Sequence, residues 1–121
     1  MMEFCAAVDP SPRLAVLGIF TTPSHRAYRD AIRASWMADA EPDVILPRFV
    51  LRGIELPASF ANESRASSDM VYLRARSSMS RQGGPLLSLL LWFDCAATAW
   101  PNAQLVGKAD DDVRLSSNPT R

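Results

Sequence analysis

One histidine, His25, stands in 121 residues, and that scarcity narrows the chemistry at once. A lone imidazole gives no case for a Ser-His-Asp triad or a zinc site, and at the start of a helix it reads as an exposed residue. Cysteine is nearly as scarce: Cys5 and Cys95 decide little and read as two reduced thiols, Cys95 half-buried on a helix. An excess of one charge is lacking too, with 13 basic residues against 13 acidic ones. A balanced chain has no electrostatic pull toward nucleic acid or an anionic membrane. Long apolar runs are missing as well. The longest, "PLLSLLLWF" (Pro85 to Phe93), falls far short of the roughly 20 residues that span a bilayer. The start, "MMEFCAAVDPSPR", has an early acid, no basic region and too short an apolar stretch for a signal peptide. There is no internal repeat and no low-complexity tract. Taken as it stands, the chain reads as soluble and without an address.

What the chain has instead is the make-up of one globular domain. It is 48% hydrophobic and 21% charged over 121 residues, enough for a real core though small for an enzyme. Strand and helix signals alternate along it. "LAVLGIF" (Leu14 to Phe20) is a continuous apolar run, the pattern of a strand covered on both faces. "TTPSHR" breaks it, and Ser24 is placed to cap a helix "HRAYRDAIRASWM". In that helix Tyr28, Ile32 and Trp36 recur at helical spacing and should face the sheet, with Arg29 and Arg33 as a neighbouring basic stripe. A second strand is expected at "RFVLRGI" (Arg48 to Ile54), a short helix or irregular segment at "PASFANESRAS", and a third strand at "MVYLRAR" (Met70 to Arg76). Gly83, Gly84 and Pro85 open a helix through "LLSLLLWFDCAATAW", whose Trp92 and Phe93 join Trp36 in the core. "NAQLVGKA" is a fourth strand. Strand, helix, strand, strand, helix, strand predicts an α/β fold, a mostly parallel sheet with flanking helices. "NES" at Asn62 to Ser64 fits a glycosylation acceptor, a triplet common by chance, and "NPT" at Asn118 is blocked by its proline.

The fourth strand runs into Asp110, Asp111 and Asp112, and three adjacent carboxylates need a reason. They repel one another, and aspartate is disfavoured in strands. A solvated acidic turn would tolerate the triplet; a divalent-cation site would use it. In open α/β sheets ligands gather beyond the carboxyl ends of the strands, where both the triplet and "TTPS" fall. If strand geometry persists, Asp110 and Asp112 share one face and Asp111 takes the other. Two such carboxylates offer hard oxygen ligands to Mg²⁺ or Mn²⁺ and leave positions open for a diphosphate and water.

The ordered set of motifs resembles the first half of the family 31 glycosyltransferases, the β-1,3-galactosyltransferase and N-acetylglucosaminyltransferase group. That group has an apolar strand, an R-x-x-I-R-x-S/T-W helix, an F-V/L element closed by glycine, a later helix with a tryptophan shortly before a cysteine, and K-x-D-D-D. This chain has Arg29, Ile32, Arg33, Ser35 and Trp36; Phe49, Val50 and Gly53; Trp92 and Cys95; and Lys108 with Asp110 to Asp112. Order and spacing agree across residues 14–115. Three departures leave sugar specificity open: an extra Arg52, Ser88 where a lysine is common, and Arg114 where an aromatic or aliphatic residue is usual.

The resemblance implies a GT-A-like nucleotide-sugar-binding half over 14–115, with a disordered segment at 1–13, a tail at 116–121, and truncation after the D-D-D motif. It implies hexosyl transfer from UDP-galactose or UDP-N-acetylglucosamine to a glycan or glycoprotein hydroxyl, β-1,3 and inverting, with Mn²⁺ as cofactor. Asp112 would be the direct metal ligand, Asp110 and Asp111 would hold the ribose or supplement the metal shell, and Lys108 belongs to the same donor-binding motif. Thr21 and Thr22 would lie near the uridine, or form a plain turn before the helix. Arg33 would face the diphosphate, or be a solvated or internally paired arginine. The general base is expected beyond residue 121, so the chain alone is expected to be marginally stable, to bind Mn²⁺–UDP weakly and not to turn over. By the same resemblance the parent is a Golgi membrane enzyme with this domain in the lumen, anchored through a segment absent from this sequence. There Cys95 could pair with a cysteine outside the segment. The rival expectation is a non-catalytic fragment that keeps the fold as a nucleotide-sugar-binding or interaction module.

Overall fold

The computed structural model describes residues 5–53, 55–74 and 83–112. Strands β1 (Arg13–Phe20), β2 (Ile45–Gly53), β3 (Met70–Arg74) and β4 (Ala103–Asp110) form one sheet in the order β3-β2-β1-β4. Each neighbouring pair is parallel. Parallel neighbours need crossovers, and helices supply them: α1 (Arg26–Ala34) and α2 (Trp36–Asp39) after β1, α3 (Ala58–Ser67) after β2, and α4 (Gly83–Ala99) after β3. The expected α/β fold is present, with one addition. The segment left open between helix and irregular chain is the helix α3, closed by Ser68 in the left-handed region at φ 59°.

The apolar run of β1 is continuous because both of its faces are covered. Val16 and Phe20 pack on one side with Leu46 and Val50 of β2, Val71 and Leu73 of β3, and Trp92, Cys95 and Ala96 of α4. Leu17 and Ile19 pack on the other with Phe49, Ile32 and Trp36. The two-residue period of the strands thus sorts one core into two layers. Trp92, with no exposed surface, sets the spacing between α4 and the sheet. Its indole Nε1 donates to the Gly107 carbonyl at 2.9 Å, and its ring lies over Gly18, where a Cβ would sit 2.5 Å from Cε2. Glycine in mid-strand is explained there by close approach.

Several local expectations are corrected. The predicted first helix is broken at Ser35, whose backbone leaves the helical region (φ −110°, ψ −111°) while its hydroxyl donates to the Ala31 carbonyl at 2.7 Å. Ser24 does not cap α1: its hydroxyl is 3.3 Å from that of Thr22, and the N-cap residue of α1 is His25, which makes no side-chain capping bond. Tyr28 is 48% exposed, whereas Arg29 shares the inward face with Ile32. Trp92 is in the core as expected and Trp36 packs at its edge, but Phe93 lies on the outer side of α4. The two cysteines are not reduced thiols. Cys5 and Cys95 form a disulfide, with Cα atoms 6.0 Å apart, inside the chain. With it the N-terminal segment, expected to be disordered, is pinned from Cys5 onward. The Asp9 N–H donates to the Ala99 carbonyl at 2.7 Å, and Asn102 Nδ2 donates to the Pro10 carbonyl. The expected strand ends at Ile54 and Arg76, together with Arg114 and the tail at 116–121, lie outside the described residues. Among the described residues no helix is long and apolar enough to cross a membrane.

Candidate functional site

The strand order positions the site. From β1 the chain builds outward to β2 and β3, then returns to place β4 on the other side of β1. Crossovers on the two sides of β1 therefore diverge, and a crevice opens beyond the carboxyl ends of β1 and β4. Those ends are in register, Phe20 against Asp110. A cleft of about 300 Å³ lies there, walled by Phe20, Thr21, Thr22 and His25 after β1 and by Asp110, Asp111 and Asp112 after β4. The two motifs found 90 residues apart in the sequence, "TTPS" and the aspartates, are brought face to face.

The three aspartates have three different surroundings. β4 ends at Asp110, and the Asp111 N–H still donates to the Phe20 carbonyl at 3.1 Å before the chain turns. Asp111 is buried while Asp110 and Asp112 are exposed, the partition that strand alternation predicts. The Oδ2 atom of Asp111 accepts from Thr21 Oγ1 at 2.8 Å and from His25 Nδ1 at 2.7 Å. Asp110 accepts from Lys108 Nζ at 2.9 Å, and the same ammonium lies 5.2 Å from the centre of the Phe20 ring. Lys108 sits beside the cleft rather than in its wall. Among the described residues no three histidine, cysteine or acidic side chains converge on a point where they alone could hold a metal ion. The accessible oxygens of Asp110 and Asp112 are hard donors, the type that Mg²⁺ or Mn²⁺ takes together with phosphate and water.

Arg33 does not reach the cleft. Its guanidinium grips Asp69 with two bonds of 2.9 Å, meets Glu63 at 2.8 Å and Asp30 at 2.9 Å, and lies over the Phe49 ring. Hydrogen bonding to Asp69 raises its pKa further. Of the two states open to it in the sequence, the structure places it in the internally paired one.

The arginine that does touch the site wall is Arg29. It is 3% exposed and forms a two-bond pair with Glu63, both contacts 2.7 Å, while Nη1 donates to Thr21 Oγ1 at 2.8 Å and to the Thr22 carbonyl at 2.6 Å. The hydrogen bond from Arg29, then that from Arg33, outweighs burial and holds the Glu63 carboxyl below the usual range. Sequence reasoning missed His25, Arg29 and Glu63 as neighbours of the site. For Arg29 a signal existed: three residues before Ile32, it occupies an inward position where only a paired charge is tolerated. For His25 there was none, since its partner is 86 residues away.

The Galactosyltransferase family matches residues 27–119. The chain belongs to that family. No curated protein matches it. The matched span contains Arg29, Arg33, Glu63 and all three aspartates, whereas Thr21, Thr22 and His25 precede it. The domain is thus an α/β, GT-A-like half-domain of a galactosyltransferase-family protein, with the aspartates at the switch point of its parallel sheet.

Proposed function

We propose that this galactosyltransferase-family chain binds the nucleotide-sugar donor of a hexosyl transfer, UDP-galactose or UDP-N-acetylglucosamine, for delivery with inversion to a glycan or glycoprotein hydroxyl through a β-1,3 linkage. The observation that carries this reading is the meeting of two accessible carboxylates, Asp110 and Asp112, with the Thr21–Thr22 turn at the strand-order reversal. Asp112, unpaired among the described residues, and Asp110 would hold Mn²⁺, which when bound supplies positive charge to the departing diphosphate. Lys108 offsets part of the acidic charge beside Asp110, and Asp111, engaged by Thr21 and His25, shapes the wall rather than meeting the cation through Oδ2. The Cys5–Cys95 bond supports placement in an oxidising compartment, the Golgi lumen, with any membrane attachment made outside these residues.

Ligand-dependent thermal stability tests the reading. UDP-galactose with Mn²⁺ is expected to raise the unfolding midpoint by several degrees, because a ligand that binds only the folded state stabilises it by mass action. The same sugar nucleotide in chelator, and ADP-glucose with Mn²⁺, are expected to leave the midpoint nearly unchanged. No shift with any UDP-sugar, or an equal shift in chelator, contradicts the proposal. A second reading is donor binding without transfer, the fold kept as a nucleotide-sugar-binding module. Transfer to a sugar acceptor separates the two.

A further inference from the structure

Resting on the nucleotide-sugar reading above, we infer that His25 presents Nε2 as a hydrogen-bond acceptor to a hydroxyl of the bound donor, and that the buried chain Glu63–Arg29–Thr21–Asp111 sets it in that state. The directions of the bonds are forced. A guanidinium only donates, so the 2.8 Å contact from Arg29 Nη1 makes Thr21 Oγ1 an acceptor. The single hydroxyl proton of Thr21 then goes to Asp111, 2.8 Å away, a closer and charged acceptor compared with the Thr22 carbonyl at 3.4 Å. A carboxylate only accepts, so the 2.7 Å contact from His25 puts the proton on Nδ1. In the neutral ring Nε2 is therefore the atom with the lone pair. The four members of the chain are each at most 9% exposed, with Arg29 and Glu63 at 3% and 4%, so the arrangement is held away from water.

The ring at the end of this chain differs from its supports. Its side chain is 39% exposed, it forms part of the cleft wall, and Nε2 has no partner among the described residues. Tyr28 packs against it with ring centres 4.7 Å apart. A fixed acceptor beside Asp110 and Asp112 repels phosphate oxygens and calls for a donor. The neutral donors a nucleotide sugar carries in number are hydroxyls, on the ribose and on the hexose. His25 is thus a specificity residue for the donor, and Glu63, Arg29, Thr21 and Asp111 are positioning residues acting through it.

The test has two arms, both on the 121-residue chain at pH 8. Nitrogen-15 NMR of the ligand-free protein reads the tautomer of its one histidine. The wild type is expected to carry the proton on Nδ1 and Asp111→Ala to shift toward Nε2–H; a wild type protonated on Nε2 overturns the inference. Calorimetry in Mn²⁺ then compares UDP, 2′,3′-dideoxy-UDP and UDP-galactose on wild type and His25→Phe. The substitution is expected to weaken UDP about five- to tenfold, the loss of one hydrogen bond, and to leave dideoxy-UDP unchanged, which assigns the ribose. A loss confined to UDP-galactose assigns the hexose. Equal affinities in wild type and His25→Phe for all three ligands overturn the inference while the nucleotide-sugar reading stands. A wild type that binds none of them contradicts that reading itself.

Discussion

Around Glu63 the charges close on one another. Its two oxygens hold Arg29 and its pocket also takes Arg33, which in turn grips Asp69, and the donors of Arg29 that remain are used by Thr21 and by the Thr22 and Pro23 carbonyls. Around Asp112 the charges stay open. Asp110 has one lysine, Asp111 offers one oxygen to two donors, and Asp112 faces the cleft. Both regions are charge clusters in the folded chain, and what separates them is saturation. A charge whose partners are all internal holds the fold together, and a charge that folding leaves without enough partners is available to a ligand.

That contrast can be broken by removing charges from each side in turn. The largest effect is expected for Glu63→Ala, which strands Arg29 in the interior and should cost about 3–5 kcal/mol in urea unfolding; a loss below about 1 kcal/mol would show the pair to be unimportant. Acid should reach the same pair. The Glu63 carboxyl titrates below its ordinary value because Arg29, and after it Arg33, bind the charged form. Its contribution is therefore full above the ordinary glutamate pKa of about 4.3 and is lost as pH falls through the lower folded value. Unfolding measured from pH 7 down to pH 3 should show that acid limb, and Glu63→Gln should flatten it. Arg26→Ala probes the exposed rim of the cluster, since Arg26 and Asp30 are each more than half exposed and Arg26 Nη1 meets Glu63 only at 3.7 Å. It should cost about 0.2–1 kcal/mol. Asp112→Asn should change stability least, within about 0.5 kcal/mol, because its side chain is exposed and has no partner among the described residues. Stabilisation by removing that charge would sharpen the contrast further, marking a carboxylate kept against the interest of the fold.

Most of the fold was legible because its signals are local. The apolar run of β1, the proline-opened helix α4 and the strand before the aspartates depend on nearby residues, and each is where periodicity puts it. The position of the site followed from the same reading, since strand order alone sends ligands to the carboxyl ends. What escaped depends on contacts far apart in the chain. Arg29 reads as one member of a basic stripe until α3 brings Glu63 to it from 34 residues away. His25 reads as exposed until Asp111 arrives from β4. Cys5 and Cys95 read as two thiols until the N-terminal segment folds back along α4. Arg33 is open to two readings in the sequence, and only the placement of Asp69 just before β3 decides between them.

Calorimetric titration of the chain with UDP, with and without Mn²⁺, in the wild type and in Asp112→Asn, addresses the central claim most directly. Binding is expected to require the cation and to fall at least tenfold in the variant, while the unfolding free energy of the variant stays within about 0.5 kcal/mol of the wild type. Binding of equal strength in chelator, or an Asp112→Asn protein that binds Mn²⁺–UDP like the wild type, would contradict it.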